Sequence, residues 1–373
     1  MDLSPELDRR HANVRAAMAE HDLDALIVSG SEYSGFEGAV TYLSGFQIVH
    51  RYAYVVVPGD GEAFVVFPSE ARYVGEHGAA QLEQVFHDRP GAHIAERATA
   101  AGWRRVGVYG LDYVMAVRDH RALDGLEVVP FDVEFDLARA VKSEAELSSV
   151  RDSVRINERG FEIFLGAYEP GKSAAEVMAA AEEWFVAEGC GRLTMNMVLT
   201  GSDGEAGSFA RPEFKIARRK EILGRFLLPS LEVAGPGMHW VEVSRAVAAP
   251  DTKLSADTER MLEAYREYFE AARVAMRSGA TCHEVHRAVS QGFTDRGYHL
   301  GHVTGHSIGM TMIEFPKVGE GVEVELRSNM VLSMHPHAIA ANGEDCLYMQ
   351  ETWLVTPEGG VPLSKLPMQV FFG

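Results

Sequence analysis

The sequence of 373 residues has little cysteine and little positive charge, and it has no long apolar run. Its three cysteines, Cys190, Cys282 and Cys346, are odd in number and far apart, which excludes a disulfide framework and a CxxC zinc site within the chain. The chain has 35 lysines and arginines and 54 aspartates and glutamates, which gives a formal net charge of −19. This negative charge argues against a surface that binds the phosphates of nucleic acid. No stretch approaches the roughly 20 apolar residues of a membrane span, and the N-terminus lacks the basic and apolar regions of a signal peptide. We therefore expect a cytoplasmic protein that binds neither nucleic acid nor membranes.

The composition and length fit a globular chain of two domains, since 46% of the residues are hydrophobic and 24% are charged. Up to residue 131, helical patterns alternate with short apolar runs such as Ala25-Leu26-Ile27-Val28, which predicts an α/β domain. Beyond it, Ser143 and Glu146 form the capping-box pattern at the start of a long helix. The later residues combine long helical patterns with strands that we expect to pair antiparallel. We predict one domain over residues 1–140 and an α+β domain over residues 141–373.

Histidines are concentrated in one part of the sequence. Five of the fifteen lie within forty residues: His299, His302, His306, His335 and His337. A cluster of this kind beside glycines and acids favours a functional site. The four-residue spacing of His302 and His306 is that of a helical metal pair, but the surrounding glycines and β-branched residues favour extended backbone. Residues 305–309 also match the letters of a serine nucleophile elbow, GxSxG, but no helical pattern follows, so we do not expect serine catalysis.

Three blocks in the second half of the chain carry a family resemblance. They are TGHSIG followed by EFP (304–309 and 314–316), NMVLSMHP (329–336) and QETWLVT (350–356). Their order and spacing resemble the creatinase/prolidase/methionine aminopeptidase family, peptidase family M24, and the first 130 residues resemble the N-terminal domain found with it in creatinase. The resemblance implies an α/β creatinase-like N-terminal domain, an α+β domain with the pita-bread fold, and a homodimer.

The same resemblance implies an altered metal centre. The metallopeptidases of the family hold two ions with Asp, Asp, His, Glu and Glu, and these positions fall on Leu231, Glu242, His306, His335 and Gln350. Leucine offers no lone pair, so we do not expect two ions, although Glu232 lies beside it. The other four positions imply one divalent ion, Fe, Zn or Mn, held by Glu242, His306, His335 and Gln350. The alternative is no metal at all, because creatinase itself hydrolyses its substrate without one.

Further site residues are suggested by the resemblance and by their position near these blocks. The candidate catalytic residues are His306, Glu351 and Glu314, and the candidate substrate-binding residues are Arg51, His239 and His302. Arg51 resembles the creatinase segment that reaches the partner subunit's site and holds a substrate carboxylate. The sequence leaves open whether Gln350 or Glu351 faces the site, because neighbouring residues of a strand point to opposite faces.

The leading functional hypothesis is an enzyme that hydrolyses a C–N bond of a small amino-acid-like or amidine substrate at an atypical mononuclear metal site. The first aspartate of the family's peptidases is missing at Leu231, whereas the sequence blocks that would form the pocket are present. Two alternatives stay open. One is an Fe(II)-dependent oxidative or lyase enzyme, since two histidines and one carboxylate form the ligand set of O₂-activating iron enzymes. The other is a metal-free creatinase-like hydrolase or a catalytically inactive binding scaffold.

Overall fold

The structure is a computed structural model and describes residues 4–32, 37–48, 50–72, 81–191, 193, 196–200, 215–216, 221–301 and 303–373. The chain forms two compact units, one of Met1–Arg139 with Met310–Met312 and one of Ala140–Gly309 with Ile313–Gly373. Within the described ranges, no helix has both the length and the apolar character needed to cross a bilayer. We describe each unit by itself.

The first unit is built on a six-stranded mixed sheet with the strand order β4-β3-β2-β1-β5-β6. Its strands are β1 Ala25–Ser31, β2 Tyr52–Pro58, β3 Phe64–Pro68, β4 Glu83–His87, β5 Arg105–Tyr109 and β6 Glu127–Pro130. Its described α-helices are Ser4–Glu20, Glu37–Ser44, Pro90–Ala101, Val117–Arg121 and Asp132–Ala140. Strand β1 runs antiparallel to β2 and parallel to β5, so the sheet is of the mixed kind common in α/β domains.

Both faces of this sheet are buried. Leu26 and Val28 of β1 belong to a hydrophobic cluster that includes Val14 of the first helix, whereas Ile27 points to the opposite face and packs in a cluster with Ile94. Fully burying one such side chain contributes about 1.5–3 kcal/mol. A strand covered on both faces needs apolar residues at every position, which explains the uninterrupted apolar run in the sequence.

The second unit combines several sheets, antiparallel except for the pairing of Val247–Ala248 with Phe371–Phe372, with long helices. Its described strands are β7 Met197–Thr200, β8 Lys215–Ile216, β9 Phe226–Ser230, β10 Glu232–Ala234, β11 Trp240–Glu242, β12 Val247–Ala248, β13 His299–Leu300, β14 Gly305–Ser307, β15 Glu314–Val318, β16 Val331–Met334, β17 His337–Ile339, β18 Cys346–Tyr348, β19 Glu351–Val355, β20 Gly360–Pro362 and β21 Phe371–Phe372. Its described helices are Glu144–Ala167, Ala174–Ala187, Ala256–Ala275 and Cys282–Thr294. The central five-stranded sheet has the order β15-β14-β16-β19-β20, and β10 pairs with β11 alone. This is the α+β arrangement expected from the sequence.

The core of the second unit lies between the helices Ala256–Ala275 and Cys282–Thr294 and the strands beneath them. Trp353 of β19 is fully buried, and its ring centroid lies 4.7 Å from that of Phe269. The helix Glu144–Ala167 begins with the capping box predicted from the sequence, in which the Ser143 hydroxyl accepts from the Glu146 amide at 3.1 Å. Such a cap stabilises a helix by about 1 kcal/mol.

Candidate metal centre

Three buried side chains of the second unit meet at one point. The ligand atoms of Glu242, His306 and His335 all lie within 4.8 Å of one another. His306 Nε2 is 3.4 Å from Glu242 Oε1, and His335 Nε2 is 3.8 Å from Glu242 Oε2. Two imidazoles and one carboxylate with open positions are a set that binds Fe(II), Zn(II) or Mn(II).

The strand register brings these residues together. His306 of β14 lies directly opposite Ser333 of β16, and Ser333 lies opposite Thr352 of β19, so the three side chains share one face of the central sheet. The Thr352 hydroxyl bonds to the backbone amide and carbonyl of Glu242, both at 3.0 Å, which ties β11 to this face. His335 directly follows β16, and its amide donates to the Thr304 carbonyl at 2.9 Å.

A backbone hydrogen bond fixes the ring of His306. Its Nδ1 lies 2.9 Å from the Ser307 carbonyl oxygen, which can only accept, so Nδ1 carries a proton and Nε2 is the atom directed at Glu242. In the neutral imidazole this leaves the Nε2 lone pair for a metal ion, the arrangement that orients histidine ligands in metal sites. The geometry of His306 therefore fits a metal ligand without rearrangement of the ring.

The charge of Glu242 is strongly stabilised. Burial alone would raise the pKa of Glu242, but the imidazoles of His306 and His335 and the Ser333 hydroxyl, which donates at 2.6 Å, outweigh burial and hold this pKa at about 2. Burial disfavours the charged form of His306, but the Glu242 carboxylate outweighs it and raises the pKa of His306. The residues present thus supply an anionic ligand throughout the neutral range.

The structure shows which of the neighbours Leu231 and Glu232 faces Glu242. Glu232 lies opposite Glu242 in the β10–β11 pair, so the two glutamates share a face, and Leu231 is a buried core residue, as its lack of a lone pair led us to expect. The first aspartate position implied by the resemblance therefore falls one residue away from the side chain that faces the site. Burial, followed by the neighbouring Glu242 carboxylate, raises the pKa of Glu232 to about 8. Sequence analysis placed Glu232 beside the site without giving it a role.

The open choice between Gln350 and Glu351 is answered by their contacts. Gln350 Nε2 donates to Glu242 Oε2 at 3.1 Å and to Glu232 Oε1 at 3.0 Å, so this side chain faces the cluster. Glu351 points to the other side of the strand, where it pairs with Arg245 at 2.5 Å. Gln350 presents its amide nitrogen, a donor, toward the carboxylates, and the metal-ligand role expected from the sequence would need the opposite orientation of this amide.

The two predicted proton carriers are both held in buried ion pairs. Glu351 is fully buried against Arg245 and also accepts from the Ser364 amide at 3.0 Å. Glu314 is buried and pairs with Lys142 at 3.1 Å. In the β14–β15 ladder Glu314 lies opposite Ser307, the residue after His306. These contacts give both carboxylates a structural partner, and their catalytic role stays a prediction from the sequence.

The structure describes two of the three predicted substrate-binding residues, His239 and Arg51. His239 Nδ1 lies 2.9 Å from Ser149 Oγ, which places its ring against the helix Glu144–Ala167. Arg51 belongs to the first unit, is exposed, and has a left-handed backbone with φ 65°. Its amide donates to the Glu32 carboxylate at 2.7 Å. His302 lies outside the described residues.

The donor set fits one ion and does not fit two. Glu242, His306 and His335 offer three lone pairs that converge, whereas the next pair of carboxylate oxygens, on Glu232 and Glu242, is already bridged by the Gln350 amide nitrogen. An amide N–H₂ group has no lone pair to give a metal. The residues therefore support a mononuclear centre.

In the metal-free protein, the contribution of Glu232 to the free energy of unfolding is expected to fall as the pH rises from about 5 to about 8. Glu232 keeps its proton up to a pKa of about 8 in the folded chain and loses it near 4.5 when unfolded, so the folded state binds more protons in this window. The raised pKa of His306 acts in the same direction above pH 6.5. The slope from Glu232 is at most about 1.4 kcal/mol per pH unit.

Urea unfolding of chelator-treated protein across this pH range measures the slope. Glu232→Gln removes the titrating group but keeps an acceptor for the Gln350 amide, so this variant should show a shallower slope. An equal slope in the two proteins would contradict the assignment of a retained proton to Glu232.

Comparisons with known proteins show the family to which both parts of the chain belong. Residues 148–357 match the model of metallopeptidase family M24, and residues 10–141 match the creatinase/prolidase N-terminal domain. A probable dipeptidase PepE of Mycobacterium tuberculosis is 26% identical over 375 residues, which is 97% of this chain and 95% of that protein. The Xaa-Pro dipeptidase of Pyrococcus horikoshii is 22% identical over 232 residues, covering 61% of this chain and 63% of that protein.

Solved structures show the same fold. The Xaa-Pro dipeptidase of Bacillus anthracis superposes with a TM-score of 0.80 at 17% identity, covering 98% of this chain and all of that one. Dipeptidase PepE of Mycobacterium ulcerans gives 0.80 at 22% identity, covering 100% and 99%. These matches confirm the expected fold, a creatinase-like N-terminal domain with a pita-bread C-terminal domain. The chain belongs to metallopeptidase family M24, and it is a hydrolase of the creatinase/Xaa-Pro peptidase type.

Proposed function

We propose that this enzyme hydrolyses a C–N bond of a small, amino-acid-like or dipeptide-sized substrate at a single divalent ion held by Glu242, His306 and His335. The observation that carries the proposal is the convergence of these three buried donors within 4.8 Å. The relatives named dipeptidase and Xaa-Pro dipeptidase support a substrate with an amide bond between amino acids. Amidines remain in the substrate class because the cluster differs from the ligand set of the family's dinuclear peptidases.

The protein's own residues prepare the site in three ways. The Ser307 carbonyl holds the His306 ring with Nε2 inward, and the Ser333 hydroxyl holds the Glu242 carboxylate. Burial of all three donors keeps bulk water from competing for them. A divalent ion at this point supplies a Lewis acid that polarises the scissile group and lowers the pKa of a water molecule.

A second candidate is hydrolysis without metal. It is favoured by the direct approach of His306 Nε2 to Glu242 Oε1 at 3.4 Å, since an imidazole beside a carboxylate is a common acid–base pair. Arg51 as a ligand for a substrate carboxylate, a homodimer and a cytoplasmic location remain predictions from the sequence.

Chelation followed by reloading tests the proposal. The protein is assayed for amine release from amino-acid amides, Xaa-Pro and other dipeptides, and amidines, before and after exhaustive chelation. We expect activity to fall at least about 10-fold and to return with one equivalent of Fe(II), Zn(II) or Mn(II). Activity unchanged by chelation, with no ion left on the protein, would favour the metal-free mechanism instead.

A further inference from the structure

Gln350 occupies an unusual position for an amide. Its side chain is fully buried, and its Nε2 donates to the carboxylates of Glu232 and Glu242 at 3.0 and 3.1 Å, with the Tyr348 hydroxyl a third neighbour at 3.1 Å. Its Oε1 points away and accepts from Ser244 Oγ at 2.9 Å. The opposite orientation would place Oε1 against two carboxylates, so electrostatics fixes the amide as the structure has it.

The two glutamates could both be charged only with a positive group between them. Glu232 and Glu242 lie directly opposite each other on β10 and β11, and like charges in such pairs are destabilising. Both are buried, where uncompensated charge costs the most, so the metal-free protein keeps a proton on Glu232 and a bridging cation would replace that proton. Each carboxylate has a serine donor of its own, Ser230 Oγ at 2.7 Å and Ser333 Oγ at 2.6 Å, but the Gln350 amide is the described group that touches both. The Gln350 Nε2 atom therefore occupies the position that a cation bridging Glu232 and Glu242 would take.

We propose that the Gln350 carboxamide takes the place of a second cation in this site, and that the substitution Gln350→Glu opens a second metal site shared by Glu232, Glu242 and the new carboxylate. The amide supplies partial positive charge without requiring an ion and limits the centre to one metal. The proposed function gives the identity of the first ion, but the gain of a second ion on substitution does not depend on it.

The donor atoms of the site that Gln350→Glu would create favour one kind of ion. These donors are carboxylate oxygens, with the hydroxyls of Ser230 and Tyr348 close by, and the site has no imidazole of its own. All-oxygen sites prefer hard ions such as Mn(II) over Zn(II). Because Glu242 belongs to both sites, two bound Mn(II) ions would be close enough to couple magnetically.

Equilibrium dialysis against Mn(II), followed by elemental analysis, tests the proposal in the full chain. Three proteins are compared: wild type, Gln350→Glu, and Gln291→Glu, an exposed position on the helix Cys282–Thr294 that controls for added charge. We expect Gln350→Glu to bind one Mn(II) more per chain than wild type and to show a spin-coupled electron paramagnetic resonance signal, with Gln291→Glu equal to wild type.

The counts separate this inference from the proposed function. One bound Mn(II) per wild-type chain and two per Gln350→Glu chain would support both the inference and the proposed function. No bound Mn(II) in wild type and one in Gln350→Glu would support the inference and overturn the mononuclear function. Equal counts in wild type and Gln350→Glu overturn the inference, and so does a wild type that already binds two ions.

A second variant covers failure of Gln350→Glu to fold. Gln350→Met keeps the side-chain length and removes the bridging donor, so Glu232 and Glu242 face each other without it. Thermal unfolding in chelator and in Mn(II) should show a larger gain in Tm from Mn(II) for Gln350→Met than for wild type. An equal gain would overturn the proposal.

Discussion

Replacing His306 by alanine is expected to weaken binding of the divalent ion by more than about 100-fold and to lower kcat/KM to a similar extent at limiting metal. Loss of an outer partner of a metal ligand already costs roughly 10–100-fold in affinity, and His306 is itself a ligand in our account. Its removal also takes away the group that lies 3.4 Å from the buried Glu242 carboxylate. Isothermal titration of the chelated protein with Zn(II) or Mn(II) measures the affinity.

His299→Ala is the matched control for this substitution. His299 lies in the same unit on β13, where its backbone pairs with Ile339 and its side chain is exposed. This variant should bind the ion as wild type does. If His306→Ala also kept wild-type affinity, the metal would have to lie elsewhere and the proposed centre would be wrong.

Replacing Glu351 by alanine is expected to lower the free energy of unfolding of the second unit by about 3–5 kcal/mol, the cost of leaving one partner of a buried ion pair alone. Both Glu351 and Arg245 are fully buried. Arg245 also donates to the backbone carbonyls of Pro367 at 3.1 Å and Leu366 at 2.8 Å, so the pair anchors the C-terminal segment. Urea unfolding followed by tryptophan fluorescence measures the loss.

The exposed pair Arg296–Glu267 in the same unit provides the comparison. Its atoms lie 2.6 Å apart, but both side chains are partly exposed, and Glu267→Ala should cost less than about 1 kcal/mol. A Glu351→Ala protein with wild-type stability and a lost kcat would contradict the structural role and restore Glu351 as the proton carrier expected from the sequence.

The three proposed metal ligands could be named from the sequence because each lies in a contiguous block of it. His306 and His335 belong to motifs read directly along the chain, and Glu242 lies three residues before Arg245. Glu232 was named without a role because a shift of one residue along a strand moves a side chain to the other face, and only the β10–β11 register shows which residue faces inward. The ion pair of Glu314 with Lys142 could not be predicted for another reason, because the two residues are 172 positions apart along the chain.

For the fold too, elements with a clear local pattern were predicted from the sequence, and elements set by distant contacts were not. The apolar runs at 25–28, 53–57 and 63–67 predict strands, and β1, β2 and β3 match them within one to three residues, because a strand buried on both faces is a continuous apolar run. The helix Glu37–Ser44 was not predicted, since all eight of its residues are buried and it shows no polar face. The apolar pattern of residues 222–234 predicts one strand, but the structure divides it into β9 and β10 at Leu231, and β10 pairs Glu232 with Glu242.

The central claim is that one ion, and not none or two, lies between Glu242, His306 and His335. Elemental analysis of protein purified without added metal, beside the His335→Ala variant, tests it most directly. The account predicts about one Fe, Zn or Mn per wild-type chain and a loss of that metal in the variant. Two ions per chain, no ion even after reconstitution, or an ion retained equally by His335→Ala would contradict it.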